Sequence, residues 1–560
     1  MPSSMLTPPD SAPSSPIASK PTFSFLSPGQ NHAPSSPVAK DEAKSYTHSL
    51  LNLADSVTST FTSSLSSFSY PPLVSASRAA ILAMMNHSIA YGRLKLLMAE
   101  PNGVFVFPSY DVKPRKDREE VAEIRVIRDT FWLRLVTLGD LGFAEAYMAG
   151  LQGEYTPLRQ APDSTPVLTW LEQTFIRSRP ALESSHISGV STIPSRLFSL
   201  ITSLTNSRFA NTISNSISNI RAHYDLSNGM FSAFLSRDMT YSCAIFPELD
   251  ADLAEGVDEG MNGAIGLTRV GGAIHKSTKA LEGVGAGPTS GGEDPLEQAQ
   301  LAKIRHIIRK ADIRPGHRVL EIGSGWGSFA IEAVRSTSCT VDTITLSSQQ
   351  KALAEERIRA AGLAGRIRVW LMDYRALPES WKGAFDRVVS IEMLEAVGKE
   401  FIGGYFSVLD QALNASGVAC IQVITIPESR FEKYQREVDF IRKWIFPGGF
   451  LPTVSFVVDA IRTGSKDRLV VDSISNIGPH YARTLREWRR RFLHAFHDRV
   501  EPALRSEHPE MTDADIEVFK RKWIYYFCYC EVGFSERVLG DHIITMAREG
   551  NAEYGCTTFE

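Results

Sequence analysis

The residues best suited to chemistry lie in the second half of the chain. Glu321, Gly323, Gly325 and Gly327 follow a run of strand formers, Val319, Leu320 and Ile322, and overlap the start of a helix-like stretch from Trp326 to Val334. Three glycines at alternate positions let the backbone turn sharply and approach a ligand, and the helix N-terminus beside them suits a polar group. The spacing differs from the G-x-G-x-x-G of dinucleotide-binding folds. The next strand ends at Thr345 and runs into Gln349 and Gln350. Many nucleoside-binding sheets place an acid there to hold ribose hydroxyls; here Thr345 with Gln349 or Gln350 must serve instead. Asp373, beside Tyr374 after the third strand, either takes a hydrogen bond from an adenine amino group or caps a short helix. Glu392 and Glu395 put two carboxylates just past the fourth strand, more than packing needs. Cys243 lies upstream in the aromatic-rich stretch Met239 to Phe246. Tyr526 sits in the run Trp523 to Tyr529, where all but one of the tyrosines are expected to be core.

Strands are expected at 317–322, 339–346, 366–372, 385–391 and 416–424, with helices between them, for instance 347–361 and 399–413. That alternation predicts an α/β fold with a doubly wound, mostly parallel sheet and ligands at the carboxyl ends of its strands. Residues 76–194 read as a smaller α+β N-terminal domain. Within it, 79–86 and 92–98 carry apolar periodicity, 103–108 and 122–127 alternate like strands, and 131–136 continues that pattern. Residues 139–148 start a helix with Asp140 as its cap. Residues 1–75 form a Ser/Pro-rich tail and linker, disordered at least to Lys40 for want of large apolar groups. The remaining domain, 195–560, carries a Gly-rich mobile insertion at about 248–294. Between 195 and 220 apolar residues recur at helical spacing opposite Ser, Thr and Asn. Such a helix either senses loosely packed lipid or lies on its own domain, the commoner case.

The totals bound the answer. A chain of 560 residues holds two or three domains, and 43% hydrophobic with 22% charged content is that of a globular protein. The net charge of -4 argues against a nucleic-acid partner. Six cysteines without C-x-x-C spacing imply neither a metal site nor a disulfide framework, and suit reduced thiols in a cytoplasmic protein. No apolar run reaches the roughly eighteen residues of a spanning helix, and the N-terminus does not read as a secretory signal.

The spacing E-x-G-x-G-x-G at Glu321 to Gly327 resembles motif I of S-adenosylmethionine-dependent methyltransferases. With His223 to Asn228, Tyr241 to Cys243, Thr345 to Gln350, Phe385 to Ser390, Glu392 to Gly398 and Ile445 to Gly449, in that order, the chain resembles the cyclopropane-fatty-acyl-phospholipid synthase family. The likeness runs from about residue 220 to the C-terminus apart from the insertion, and is closer to plant and fungal members. Residues 79–175 resemble that family's smaller N-terminal domain. The resemblance implies a class I, Rossmann-like methyltransferase fold. It implies transfer of a methylene from S-adenosylmethionine across a cis double bond of an unsaturated acyl chain in a membrane phospholipid, through a carbocation deprotonated by bound bicarbonate. The alternative is a lipid C-methyltransferase giving a methyl-branched or methylated sphingolipid product without ring closure. Cofactors implied are S-adenosylmethionine and bicarbonate; partners are unsaturated phospholipid, a membrane touched peripherally, and a second copy in a homodimer. Cys243, Glu395, Gln422, Tyr526 and the backbone of Ile424 match the bicarbonate site. Gln422 stands where the family has a histidine; it can donate a hydrogen bond but cannot titrate. Tyr241, Ser242, Glu321, Gly323, Gly325, Gly327, Thr345, Gln349, Gln350, Asp373 and Tyr374 match the S-adenosylmethionine site. No metal is implied.

Overall fold

The computed structural model describes residues 70–89, 93–98, 103–107, 121–150, 228–252 and 294–555. The Ser/Pro-rich tail, the amphipathic stretch at 195–220, His223 to Ser227, most of the glycine-rich insertion and Cys556 lie outside the described residues.

The first described elements are helix α1 (Tyr70–Ser88) and a sheet of β1 (Arg93–Met98), β2 (Gly103–Phe107) and β3 (Val121–Val126), ordered β2-β1-β3. The apolar periodicity at 92–98 is that of a strand: Leu94, Leu96 and Met98 are buried on alternate positions of β1. Two expectations for this part are corrected. Residues 131–136 do not extend the strand pattern but lie in α2 (Thr130–Leu138), because Phe131, Trp132 and Leu135 fall on one helical face and bury together. Asp140 is not a cap. It is the first residue of α3 (Asp140–Met148), the cap position being Gly139 at φ 59, and its carboxylate stands in the first turn, where the helix dipole favours it.

Helices α4 (Asn228–Phe234) and α5 (Pro295–Lys310) lead to the main sheet. Its strands are β4 (Arg318–Ile322), β5 (Thr340–Thr345), β6 (Ile367–Leu371), β7 (Phe385–Ile391), β8 (Leu413–Thr425), β9 (Leu469–Asn476) and β10 (Gly540–Arg548), ordered β6-β5-β4-β7-β8-β10-β9. The five from β6 to β8 are parallel, and β10 runs antiparallel to both its neighbours. Helices α6 (Ser328–Thr337), α7 (Ser348–Ala360) and α8 (Ile402–Ala412) connect the parallel strands, giving the doubly wound sheet that the alternation predicts. Strands covered on both faces read as near-continuous apolar runs, and Val388, Val389, Val418 and Ala419 are fully buried.

Beyond β8 come α9 (Glu428–Arg436), α10 (Val454–Ser465), α11 (Gly478–Ala495), α12 (Glu501–Glu507) and α13 (Asp513–Ser535). Rings from α4, α11 and α13 interlock: Phe234 meets Trp488, Phe492 and Trp523 with centroids 6.2, 6.3 and 5.8 Å apart. On the other side of α13, Tyr525 packs against Phe143 and Tyr147 of α3, and Glu145 accepts from Lys443 at 2.6 Å. Helix α11 also holds both borders of the undescribed stretch 253–293: Arg486 pairs with Asp252 and Arg491 with Asp294, each at 2.6 Å. No helix among the described residues is long and apolar enough to cross a membrane.

Candidate active site

Strand β4 sits between β5 and β7, where connections leave in opposite directions and a crevice opens at the strand ends. The turn that follows is pinned by two bonds from the amides of Gly323 and Ser324 to the Ile344 carbonyl, 3.0 Å each. Gly323 at φ 100 and Gly325 at φ 47 hold backbone conformations that side chains resist. A Cβ on Gly325 would meet nothing within 4 Å. Tyr241, Ser242, Glu321, Thr345, Gln350 and Tyr374 share the crevice wall with these glycines. Thr345 Oγ1 donates to Gln350 Oε1 at 2.8 Å. Trp326 Nε1 donates to Asn228 Oδ1 at 2.8 Å, tying α4 to the turn.

Three residues expected at this site are not among those lining the crevice. Gln349 is exposed, because it falls one position round α7 from buried Gln350. Gly327 caps α6 and backs onto Ala354, 3.4 Å from where its Cβ would be, so it serves helix packing. Asp373 has the geometry of a cap: its carboxylate accepts from the Arg375 amide at 2.8 Å and from the Arg375 guanidinium at 2.9 and 2.6 Å.

Behind the crevice lies a buried polar cluster. Glu392 leaves β7 at φ 48. Its Oε1 accepts from the Cys243 amide at 2.8 Å and from Gln422 Nε2 at 2.7 Å, and its Oε2 from the Tyr481 hydroxyl at 2.7 Å. Gln422 Nε2 also donates to Asp541 Oδ2 at 2.8 Å. The Ile424 amide donates to Glu395 Oε1 at 2.5 Å, and the hydroxyls of Tyr526 and Tyr241 meet at 3.1 Å. The structure joins Cys243 and Gln422 through Glu392, Ile424 to Glu395, and Tyr526 to Tyr241. It also engages within the protein the amide of Cys243, the amide of Ile424, both hydrogens of the Gln422 side chain and the Tyr526 hydroxyl.

Burial dominates the electrostatics. It pushes the Glu321 carboxyl up to about 8 against the opposing hydrogen bond from Thr343, and leaves Glu321 Oε2 without a partner among the described residues. It pushes Glu395 up to about 8 as well, helped by neighbouring Glu392. Glu392 and Asp541 are raised by burial too. Lys303, fully buried, donates to Ser242 Oγ, and burial lowers its amine while Glu392, Cys243 and Asp541 oppose that shift. One consequence is measurable. In the unfolded chain a glutamate titrates near about 4.3, but folded Glu321 and Glu395 keep their protons to about 8. The folded state then binds more protons across that window, so stability falls as pH rises through it. Melting temperatures at pH 5.5, 6.5 and 7.5 should decline in that order, with a shallower slope in Glu321→Gln; a rising series would refute the assignment.

Residues 211–267 and 290–542, more than half of the chain, match the family model described as mycolic acid cyclopropane synthetase. The chain belongs to this family. Among curated relatives, tuberculostearic acid methyltransferase UfaA1 of Mycobacterium tuberculosis is 36% identical over 332 residues, covering 59% of this chain and 65% of the relative. Cyclopropane-fatty-acyl-phospholipid synthase of Escherichia coli is 30% identical over 318 residues, covering 57% and 64%. Sphingolipid C9-methyltransferase A of Emericella nidulans is 33% identical over 204 residues, covering 36% and 38%. The matches thus span less than two thirds of each relative's length. The solved cyclopropane synthase MmaA2 from Mycobacterium tuberculosis aligns at 25% identity and a TM-score of 0.44, covering 59% of this chain and 98% of that one.

In this mycolic acid cyclopropane synthetase family member, the sequence motifs miss Lys303, Tyr481 and Asp541. Lys303 carries a usable signal. It interrupts the buried stripe of α5 formed by Leu296, Ala299, Ile304 and Ile307, where a charge is out of place. Asp541 likewise opens a strand whose Ile543, Ile544 and Met546 are core. Nothing in the spacing couples Asp541 to Gln422; only the antiparallel register of β10 on β8, with Ile543 opposite Gln422, brings them close.

Proposed function

We propose that the protein is an S-adenosylmethionine-dependent lipid C-methyltransferase that closes a cyclopropane across a cis double bond of an unsaturated acyl chain in a membrane phospholipid. One observation carries the reading: Glu392 lines the glycine-turn crevice and also holds Cys243 and Gln422, so the two halves of the site share a wall. The residues fit the cofactor. Glu321 Oε2, on that wall, is a buried acceptor without a partner among the described residues, suited to a ligand ammonium. Gly325 leaves open space for the ligand, and Thr345 with Gln350 stands where ribose hydroxyls would bind.

S-adenosylmethionine, when bound, supplies an electrophilic methyl group. An alkene is a weak nucleophile, so the chain must hold the acyl double bond close and in line. Tyr241 lies against Trp488 and Phe446, with centroids 5.0 and 6.5 Å away, and Phe446 lies 6.0 Å from Tyr526. Ring faces attract the positive charge that develops on the acyl chain, and Trp488 and Tyr526 are buried, which keeps out water that would hydrate a cation. The donors matched to bicarbonate are engaged inside the protein, so no step here is routed through that ion. A phospholipid substrate would bring the protein to a membrane surface.

A second reading, methyl transfer without ring closure, is supported by two relatives whose names are those of methyltransferases. One experiment separates them. The full chain is incubated with S-adenosylmethionine and vesicles of cis-unsaturated phospholipid, and the extracted lipid is examined by proton NMR. Upfield cyclopropane resonances support ring closure. S-adenosylhomocysteine without those resonances supports the second reading, and no S-adenosylhomocysteine overturns both.

A further inference from the structure

We propose that Glu392 is this chain's own proton acceptor, a carboxylate built into the donors that would otherwise seat a small anion. The inference rests on the methyl-transfer reading above.

Three features point to it. First, the Cys243 amide and the Gln422 side-chain amide, both matched to the bicarbonate site, converge on Glu392 Oε1 at 2.8 and 2.7 Å, and the Tyr481 hydroxyl reaches Oε2 at 2.7 Å. Three donors on one carboxyl are the environment of an anion. Second, Glu392 sits at φ 48, a conformation that residues with a side chain resist, and such strain collects where a side chain must be aimed. Third, Glu392 faces the crevice that Gly323, Gly325 and Tyr241 line, while Cys243 and Gln422 lie behind it. The fully buried amine of Lys303 stands close enough to favour the charged form. Asp541, also fully buried, shares the Gln422 amide with it; two carboxyls this close do not both ionise, and Asp541, whose carboxyl accepts from Gln422 where that of Glu392 accepts from three donors, keeps the proton.

The step balances without a further reactant. The π pair of the alkene forms a bond to the methyl carbon as that carbon's bond to sulfur breaks, the electron pair staying on sulfur as S-adenosylhomocysteine leaves, and a cation is left on the neighbouring alkene carbon. A C–H bond of that methyl breaks, its electron pair closes the ring onto the cation, and the proton passes to a Glu392 oxygen. The acid so formed returns its proton to solvent when product leaves.

The test uses the full chain with S-adenosylmethionine and cis-unsaturated phospholipid vesicles, in CO2-free buffer and with added bicarbonate. Wild-type turnover should be the same in both. Glu392→Gly relaxes the strained backbone but leaves Lys303 with one carboxylate fewer, so thermal unfolding and S-adenosylmethionine titration are run beside the assay; the folded, cofactor-binding variant in CO2-free buffer should lose at least about a hundredfold in turnover. Glu392→Gln should lose as much, since it keeps shape but cannot accept a proton. A readout apart from activity is binding of 13C-bicarbonate followed by NMR line broadening. Wild type should not bind it, and Glu392→Gly, with the Cys243 and Gln422 donors released, should. Bicarbonate-dependent wild-type turnover, bicarbonate binding to wild type, an active Glu392→Gln, or no binding to Glu392→Gly would each overturn the proposal. If wild type yields no S-adenosylhomocysteine under either condition, the methyl-transfer reading fails, whereas the binding measurement still reports whether Glu392 fills the anion seat.

Discussion

Gly325→Val is expected to weaken S-adenosylmethionine binding at least about a hundredfold, or about 2.7 kcal/mol, while the protein stays folded. The two effects separate because of where the side chain goes. A Cβ at Gly325 meets no protein atom within 4 Å, so no neighbour must move. The fold loses only the cost of holding a side-chain-bearing residue at φ 47, about 1–2 kcal/mol. The new methyl groups instead occupy the crevice that Gly325 lines with Glu321 and Gln350. Gly327→Ala is the contrasting case. Its Cβ would meet Ala354 in an ordinary contact at 3.4 Å, but it sits at φ 86, which a side chain resists, so it should lower the melting temperature and leave affinity nearly intact. Isothermal titration with thermal unfolding on both variants decides the matter. Unchanged affinity in Gly325→Val would remove the glycine turn from the binding site.

Lys303→Met is expected to cost about 3–5 kcal/mol of stability, the loss seen when one member of a buried charge cluster is removed. The amine has no access to water and faces Glu392, Asp541, Cys243 and Asp238. Without it, hydrogen bonds alone oppose burial at Glu392 and Asp541, whose carboxyls already titrate above their usual range. Removing the cation raises them further, so the folded variant binds more protons and gains stability toward low pH. Urea unfolding at pH 5.5 and 8.0 should therefore show a larger gap between variant and wild type at the higher pH. An equal gap at both would mean that Lys303 is not the countercharge of these carboxyls.

Much of the main sheet can be read from the sequence, for a physical reason. Strands β4, β5, β7 and β8 are bounded by turn residues and mostly covered on both faces, so each is a short apolar run that announces itself, and β6, though at the edge, keeps its place in the strand–helix alternation. Strands β9 and β10 are not legible. β9 is an edge strand with alternate residues exposed, and β10 becomes a strand through pairing with β8, far away in sequence. The segment at 131–136 misleads because short aromatic and β-branched runs fit a strand or a helix, and packing of Phe131 and Trp132 decides. At the site, the glycine turn is legible because φ 100 demands a glycine. The partnership of Glu392, Gln422 and Asp541 is not, since it depends on three strand ends meeting. Even the two glutamates one turn apart reveal nothing about which of them touches Cys243.

The two ion pairs on α11 bear on the path of this chain. Asp252 and Asp294 are clamped to Arg486 and Arg491, little more than one helical turn apart. The chain therefore leaves the domain after Asp252 and re-enters it at Asp294 at nearly the same spot on α11. The helix works as a hasp that fastens both ends of that connection to one face of the domain.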